Sequence, residues 1–180
     1  MPDPISSTSV PMDLAKFQDP LLTAKGEERA VVSLTQLHTV WFNTGSLCNI
    51  TCNNCYMDSS PTNDKLEYLS LSQVVTYLDE VLVEGYPVEK IAFTGGEPFM
   101  NKDLLAMIEE SLTRGFRVLV LTNAMRPLHH RYEDLLAIRE CHGDALEVRV
   151  SIDHFTREKH EDIRGTRTWE PMIEGLRWLA

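Results

Sequence analysis

The feature of the sequence that most constrains the fold is an alternation of apolar, strand-like segments with amphipathic, helix-like segments. Three apolar segments, VEKIAFTGG, FRVLVLTN and LEVRVSID, begin about 30 residues apart, which is the size of a βα unit with parallel strands. An earlier segment, LHTVWFN at residues 37–43, is typical of a further strand. The sequence therefore predicts an α/β protein with about four βα units.

Helices are predicted between and after these strands. In SLSQVVTYLDEVLVEG, Ser70 and Gln73 resemble a capping box, and the apolar side chains that follow fall on one helical face. NKDLLAMIEESLTRG indicates a second helix that Gly115 closes, and a weaker helix is predicted around residues 131–140. TWEPMIEGLRWLA begins another helix, with Thr168 as its expected N-cap.

Length, composition and charge narrow the class of protein. The chain has 180 residues, 43% of them hydrophobic, which is enough for one domain with a sizeable core. It has neither a signal-peptide pattern nor roughly 18 consecutive apolar residues, so we expect a cytoplasmic protein with no membrane partner. Its 27 acidic residues outnumber its 17 basic residues, which argues against nucleic acid as a partner.

Residues 1–28 carry scattered prolines and are expected to be an irregular lead-in to a domain at 29–180.

Three of the four cysteines, Cys48, Cys52 and Cys55, lie on one short stretch with the spacing C-x3-C-x2-C. Reduced thiols are the default in the cytoplasm, so clustered cysteines indicate metal or redox chemistry rather than disulfides. A structural zinc site normally uses four ligands in two separated pairs, whereas only Cys141 remains, far along the chain. Three thiolates on one loop instead suit a cubane iron-sulfur cluster. Its fourth iron would lack a protein ligand and could bind a cofactor or substrate.

The carboxyl ends of the other strands carry further candidate residues. Parallel βα units place ligands at these ends, where TGGEP at 94–98, LTNA at 121–124 and SID at 151–153 join the cysteine loop. In TGGEP the two glycines would let the backbone approach a ligand with its amides and carbonyls, and Glu97 offers a carboxylate for an ammonium group. A Gly-Gly turn also occurs for purely steric reasons. All four strand ends are expected to face one site.

The ordered set of these motifs resembles the radical S-adenosylmethionine superfamily. The resemblance runs over residues 37–180 and includes CNITCNNC, TGGEP, LTNA and SIDHFTREKHEDIRG, each at a strand end. It implies a partial parallel (β/α) barrel of the TIM type. It also implies an enzyme that uses a [4Fe-4S] cluster, S-adenosylmethionine and an external low-potential electron donor to form a 5′-deoxyadenosyl radical, which abstracts hydrogen from a substrate.

The resemblance also implies roles for the first two motifs. Cys48, Cys52 and Cys55 would ligate the cluster, and the methionine amino and carboxylate groups of S-adenosylmethionine would chelate the fourth iron. The segment Gly95, Gly96 and Glu97 would hold the methionyl ammonium, which agrees with the charge of the glutamate.

The resemblance and the later motifs give four further candidates for cofactor binding. Ser151 and Asp153 match positions that bind the ribose or methionyl part of the cofactor, and Arg164 matches one that pairs with its carboxylate. Asn123 is a further candidate. Each of these residues could instead have a simpler structural role. Ser151 and Asp153 could end a strand and cap a helix, Arg164 could be a solvated charge, and Asn123 could serve only in a turn.

The sequence also permits functions other than that of a radical enzyme. A zinc-stabilised fold or a non-catalytic iron-sulfur protein is the alternative, although an electron carrier usually supplies a fourth thiolate. The substrate is unknown, because the same cofactor-binding core serves several reactions in the family. The final GLRWLA carries no helix stop, and family barrels use about six strands, so we expect a truncated barrel: the N-terminal part of a longer enzyme or an inactive fragment.

Overall fold

A computed structural model describes residues 19–180 of the chain. The chain divides into two compact units, Met1–Thr35 and Gln36–Ala180. In the described part of the first unit, Leu22 and Glu28 form an isolated antiparallel bridge. The expected irregular lead-in at 1–28 falls largely on residues outside the described part, so its extent stays a prediction.

The second unit is built on a four-stranded parallel sheet in the order β1-β2-β3-β4. The strands are β1 Thr39–Asn43, β2 Lys90–Thr94, β3 Arg117–Thr122 and β4 Leu146–Val150. The helices are α1 Leu71–Val83, α2 Leu104–Thr113, α3 Arg126–His129, α4 Tyr132–His142, α5 Arg157–Arg164 and α6 Trp169–Leu179. The four predicted βα units and their parallel pairing are confirmed, and the sheet is open, with β1 and β4 at its edges. Within residues 19–180, no helix has the length and apolar character needed to span a membrane.

The apolar character of β2 and β3 accounts for their central place in the sheet. Their inner residues, such as Phe93 and Val120, are fully buried, as expected for parallel strands covered on both faces. The strands pair in register, with Asn43 beside Thr94 and Thr122 beside Val150. The carboxyl ends of all four strands therefore lie side by side at one edge of the fold.

Helix α1 begins where the sequence predicts. The amide of Gln73 donates to the hydroxyl of Ser70 at 3.4 Å, and the amide of Ser70 donates back to the side chain of Gln73 at 2.9 Å. This reciprocal pair confirms the predicted capping box. Val74, Leu78 and Val81 are buried in the core of the unit and anchor the helix through the hydrophobic effect.

Two details of the later helices were not predicted from the sequence. Thr168 is the N-cap residue of α6 as predicted, but its hydroxyl donates to the carbonyl of Gly165 at 2.8 Å and accepts no amide of the helix. In addition, the highly charged run at 157–164 forms helix α5 with His160 buried, and its Arg164 pairs with Asp153, so the alternative role of a solvated charge does not apply. The burial of His160, which packs against Trp169 of α6, is a tertiary contact that local patterns do not show.

Candidate cofactor site

A cavity of about 260 Å³ lies at the carboxyl ends of the strands. Its lining combines the loop after β1 with residues that follow β2, β3 and β4. Nine of the ten sequence-predicted site residues line it: Cys48, Cys52, Cys55, Gly95, Gly96, Asn123, Ser151, Asp153 and Arg164. The sequence interpretation missed other lining residues, among them Thr122 and Asn54. The fold thus brings four separate motifs to one cavity.

The three cysteines of the loop after β1 are free thiols. Cys48 is only 5% exposed, and its amide donates to the carbonyl of Ser60 at 3.1 Å. Cys55 closes a tight turn by donating its amide to the carbonyl of Cys52 at 3.2 Å, and its sulfur accepts the amide of Ser59 at 3.3 Å. Backbone hydrogen bonds therefore fix the loop, and the sulfurs remain available to a ligand.

Burial in the cavity disfavours the thiolate form of two of these cysteines, Cys48 and Cys52. Burial raises the pKa of Cys48 to about 11, against the lowering effect of the Ile50 amide, while the Glu97 carboxylate adds to the rise. Burial also raises the pKa of Cys52, and the positive charge of Arg164 opposes this. A bound metal centre would supply the positive charge that the thiolates need, so metal binding must release protons here.

The Gly-Gly turn packs directly on the cysteine loop. The amide of Gly96 donates to the carbonyl of Gly45 at 2.9 Å, and the amide of Glu97 donates to the carbonyl of Leu47 at 3.0 Å. A β-carbon on Gly96 would lie 2.1 Å from the carbonyl oxygen of Leu47, so only glycine fits. These two amides therefore hold the loop and do not face a ligand, contrary to the expectation from sequence. The carbonyls of Gly95 and Gly96 accept no hydrogen bond from residues 19–180.

Glu97 lies behind the cavity wall rather than in its lining. Its side chain is 1% exposed, and its Oε1 accepts the hydroxyl of Thr122 at 2.8 Å and the amide of Phe99 at 3.1 Å. Its Oε2 accepts the amide of Asn123 at 2.9 Å. Burial raises the pKa of this carboxyl to about 7, outweighing the hydrogen bonds that lower it. The carboxylate ties β2 to β3, and its predicted role toward an ammonium group stays a prediction.

The end of α5 is held by the cysteine loop. The amide of Asn53 donates to the carbonyl of Ile163 at 2.8 Å, and the Asn53 side chain donates to the carbonyl of Asp162 at 2.6 Å. These bonds satisfy carbonyls that the helix terminus leaves free. They also place Arg164 at the cavity, where its Nε forms an ion pair with Asp153. The terminal guanidinium nitrogens of Arg164 make no hydrogen bond to the described residues.

The arrangement of donors fits an iron-sulfur cluster better than a single metal ion. In the described part of the chain, no three His, Cys, Asp or Glu side chains converge closely enough to hold one ion. The ligands of a zinc ion must all lie about 2.0–2.3 Å from it, whereas a cubane cluster offers a separate iron to each thiolate. Three free thiols on one loop, facing a glycine-lined cavity, therefore fit a cluster with one iron left open.

An open parallel βα sheet with a three-cysteine loop after β1 and a Gly-Gly turn after β2 is the arrangement of a partial (β/α) barrel with a candidate site at its strand ends. The sequence matches the family model described as the Radical SAM superfamily over residues 42–180. The chain belongs to this family.

Comparisons with individual proteins agree with the family and the fold. The chain is 29% identical over 131 residues to a probable GTP 3′,8-cyclase of Metallosphaera sedula. The aligned region covers 73% of this chain and 39% of that protein. It is 29% identical over 133 residues to the mycofactocin maturase MftC of Mycobacterium tuberculosis, covering 74% and 32%. The crystal structure of Streptococcus suis SuiB bound to S-adenosylmethionine superposes with a TM-score of 0.64 at 14% identity, over 80% of this chain and 31% of that chain. This likeness confirms the partial parallel barrel. The chain spans less than half the length of each of these relatives.

Proposed function

We propose that this chain forms the cofactor-binding core of a radical S-adenosylmethionine enzyme. One observation carries the proposal: the three free cysteines of the loop after β1 face the same cavity as the Gly-Gly turn and the polar residues that end β3 and β4. A structural zinc site would not need the Gly-Gly turn and Arg164 in the lining of the same cavity. No contact among the described residues favours that alternative.

The proposed cofactor set is a [4Fe-4S] cluster and S-adenosylmethionine. Cys48, Cys52 and Cys55 would hold three irons of the cluster through their thiolates. The methionyl ammonium of S-adenosylmethionine would donate to the carbonyls of Gly95 and Gly96, which no donor among residues 19–180 occupies. The buried carboxylate of Glu97, directly behind this turn, would favour the positive charge there.

The other end of the cavity suits the carboxylate and ribose of the cofactor. Asp153 binds only Nε of Arg164. The two terminal nitrogens of the Arg164 guanidinium would therefore be free to bind both oxygens of the methionyl carboxylate, a bidentate geometry that suits a guanidinium. Ser151 would use its hydroxyl, and Asp153 its second carboxylate oxygen, for the ribose or methionyl part. Asn123 lines the same cavity, with its side-chain amide at Cys48 and Asn49 of the cysteine loop.

When bound to these residues and reduced, the proposed cofactor set would supply one-electron cleavage of the sulfonium to methionine and a 5′-deoxyadenosyl radical able to take hydrogen from a substrate. The electron would come from an external low-potential donor. A reducing cytoplasm would keep the three thiols free for the cluster, so we propose that location, with neither membrane nor nucleic acid as a partner. The substrate stays open, since fold and cofactor site do not define it.

Metal analysis tests the proposal. Anaerobic treatment with iron and sulfide should give about four irons and four sulfides per chain in the unmodified protein. Combined replacement of Cys48, Cys52 and Cys55 by Ala should abolish both. Cys141→Ala is the matched control, because this exposed thiol on α4 lies outside the cavity, and it should keep the full complement. Retention of the cluster by the triple variant, or zinc without sulfide in the unmodified protein, would refute the proposal.

A further inference from the structure

The side chain of Asn123 bridges the end of β3 and the cysteine loop. Its amide nitrogen donates to Oδ1 of Asn49 at 2.8 Å and lies 3.8 Å from Sγ of Cys48, in a hydrogen-bonding direction. An amide nitrogen carries two hydrogens, so both acceptors can be served at once. Among the described residues, no other side chain donates a hydrogen bond to a sulfur of the three motif cysteines.

The orientation of this amide is fixed. Its Oδ1 accepts the amide of Met125 at 3.1 Å, which requires the oxygen on that side and turns the nitrogen toward Cys48. The residue is 6% exposed, and its backbone amide donates to the buried Glu97 carboxylate. A buried, fully bonded amide of this kind holds one rotamer.

The backbone after Asn123 is also held in place. Ala124 has a left-handed φ of 56°, which is unfavourable for a residue with a β-carbon. Its amide donates to the hydroxyl of Thr122 at 3.0 Å, and its carbonyl contacts Nε2 of His129 at 3.0 Å. Gly175 of α6 lies against the same carbonyl, where a β-carbon would come within 2.0 Å. Strain that the surroundings maintain in this way is common at functional sites.

A hydrogen bond to a thiolate that ligates an iron-sulfur cluster stabilises the reduced, more negative form of the cluster and raises its reduction potential. The effect is greatest in a buried setting, and Cys48 is the buried cysteine of the three. We infer that Asn123 is a positioning residue that raises the reduction potential of the cluster through its hydrogen bond to Cys48, with Glu97 holding its backbone. This inference rests on the proposed function, because it requires the cluster.

A redox titration followed by electron paramagnetic resonance tests the inference on the reconstituted chain. Asn123→Asp keeps the size of the side chain and the oxygen that accepts from Met125, but removes the donor and adds negative charge. Asn123→Ala removes the donor without adding charge. Both variants should have a more negative midpoint potential than the unmodified protein, with the larger shift in Asn123→Asp. Asn54→Ala is the control, since Asn54 lines the same cavity without bonding a sulfur, and its midpoint should not move.

The outcomes separate this inference from the proposed function. Failure of the unmodified protein to assemble a cluster contradicts the function itself. A normal cluster whose midpoint is unchanged in both Asn123 variants, or shifted equally in Asn54→Ala, overturns only the role of Asn123. Loss of the cluster in both Asn123 variants, with normal iron and sulfide in Asn54→Ala, also overturns it, because the side chain would then serve assembly rather than potential.

Discussion

The amide of Glu97 donates a hydrogen bond of 3.0 Å to the carbonyl of Leu47, the residue directly before the first cysteine of the C-x3-C-x2-C motif. The neighbouring bond from Gly96 to Gly45 runs beside it. Because both bonds join backbone to backbone, they continue the pairing of β1 and β2 beyond the ends of the strands. The cysteine motif and the Gly-Gly motif, which are separate in the sequence, are therefore one structural unit in the fold.

Replacing Gly96 by Ala should disrupt this unit. The added β-carbon would lie 2.1 Å from the Leu47 carbonyl oxygen, and neither backbone can move without breaking the paired hydrogen bonds. Overpacking of this kind typically costs about 1–3 kcal/mol or more, so we expect a destabilisation of about 3 kcal/mol and loss of most bound iron. Chemical denaturation and iron analysis measure the two effects.

Gly85→Ala provides the control for the Gly96 variant. Gly85 follows α1 with a φ of +65°, and a β-carbon added there would meet no atom within 4 Å, so the change adds backbone strain without a clash. It should cost about 1 kcal/mol and leave iron binding intact. Equal iron loss in both variants would mean that packing on Leu47 is not the cause.

Arg164→Ala should weaken the binding of S-adenosylmethionine to the cluster-loaded protein by about 1–3 kcal/mol, because it removes a charged hydrogen-bond donor. Arg164→Lys should recover only part of the affinity, since an ammonium cannot bind Asp153 and a carboxylate in the planar manner of guanidinium. Equilibrium dialysis measures both. Arg139→Ala, an exposed arginine on α4, is the control. Unchanged affinity in Arg164→Ala would remove this residue from the site.

Asn53→Ala should loosen the contact between α5 and the cysteine loop. It removes the 2.6 Å hydrogen bond from the side chain to the Asp162 carbonyl and leaves the backbone bond to Ile163. The expected loss of stability is about 1 kcal/mol, with faster amide exchange in the last turn of α5. Hydrogen exchange followed by mass spectrometry is the measurement, and protection equal to that of the unmodified chain would show that α5 does not depend on Asn53.

Glu97→Gln should change how stability depends on pH. The folded state raises the pKa of Glu97 from 4.5 to about 7, so folding favours its protonated form. The stability of the unmodified protein should fall as pH rises from 4.5 through 7, by roughly 3 kcal/mol for this group alone. The glutamine variant has no carboxyl at this position and should not lose stability in this way. Its stability relative to the unmodified protein should therefore increase as pH rises. Denaturation of both metal-free proteins at about pH 5 and about pH 8.5, on either side of this range, tests this, and parallel pH dependence would contradict it.

Local patterns in the sequence predicted the parts of the fold that depend on local chemistry. The apolar strands at 90–94 and 117–122 and the capping box at Ser70 are examples, because burial and capping leave a direct signature in residue type. The strand ends were sufficient to bring Cys48 and Asn123 to one predicted site, since parallel strands align their carboxyl ends. Arg164 was assigned to that site only by the family resemblance.

Contacts between distant segments could not be predicted in the same way. Helix α5 ends where Asn53, more than a hundred residues earlier, caps its carbonyls, and no periodic apolar pattern in REKHEDIR indicates this. The sequence showed Glu97 at a strand end but not which way its side chain turns. The hydroxyl of Thr122 and the amide of Asn123 draw it into the interior. These two hydrogen bonds to Glu97 depend on the register of β2 against β3, which is a tertiary property.

Production of 5′-deoxyadenosine tests the central claim most directly. The chain, loaded with its cluster and reduced by a strong low-potential reductant, should convert S-adenosylmethionine slowly to methionine and 5′-deoxyadenosine in equal amounts, even without substrate. The variant in which Cys48, Cys52 and Cys55 are all Ala should form neither product. Chromatography with mass spectrometry quantifies both. A cluster-loaded, reduced protein that leaves S-adenosylmethionine intact, or product formation that persists in the cysteine variant, would contradict the account.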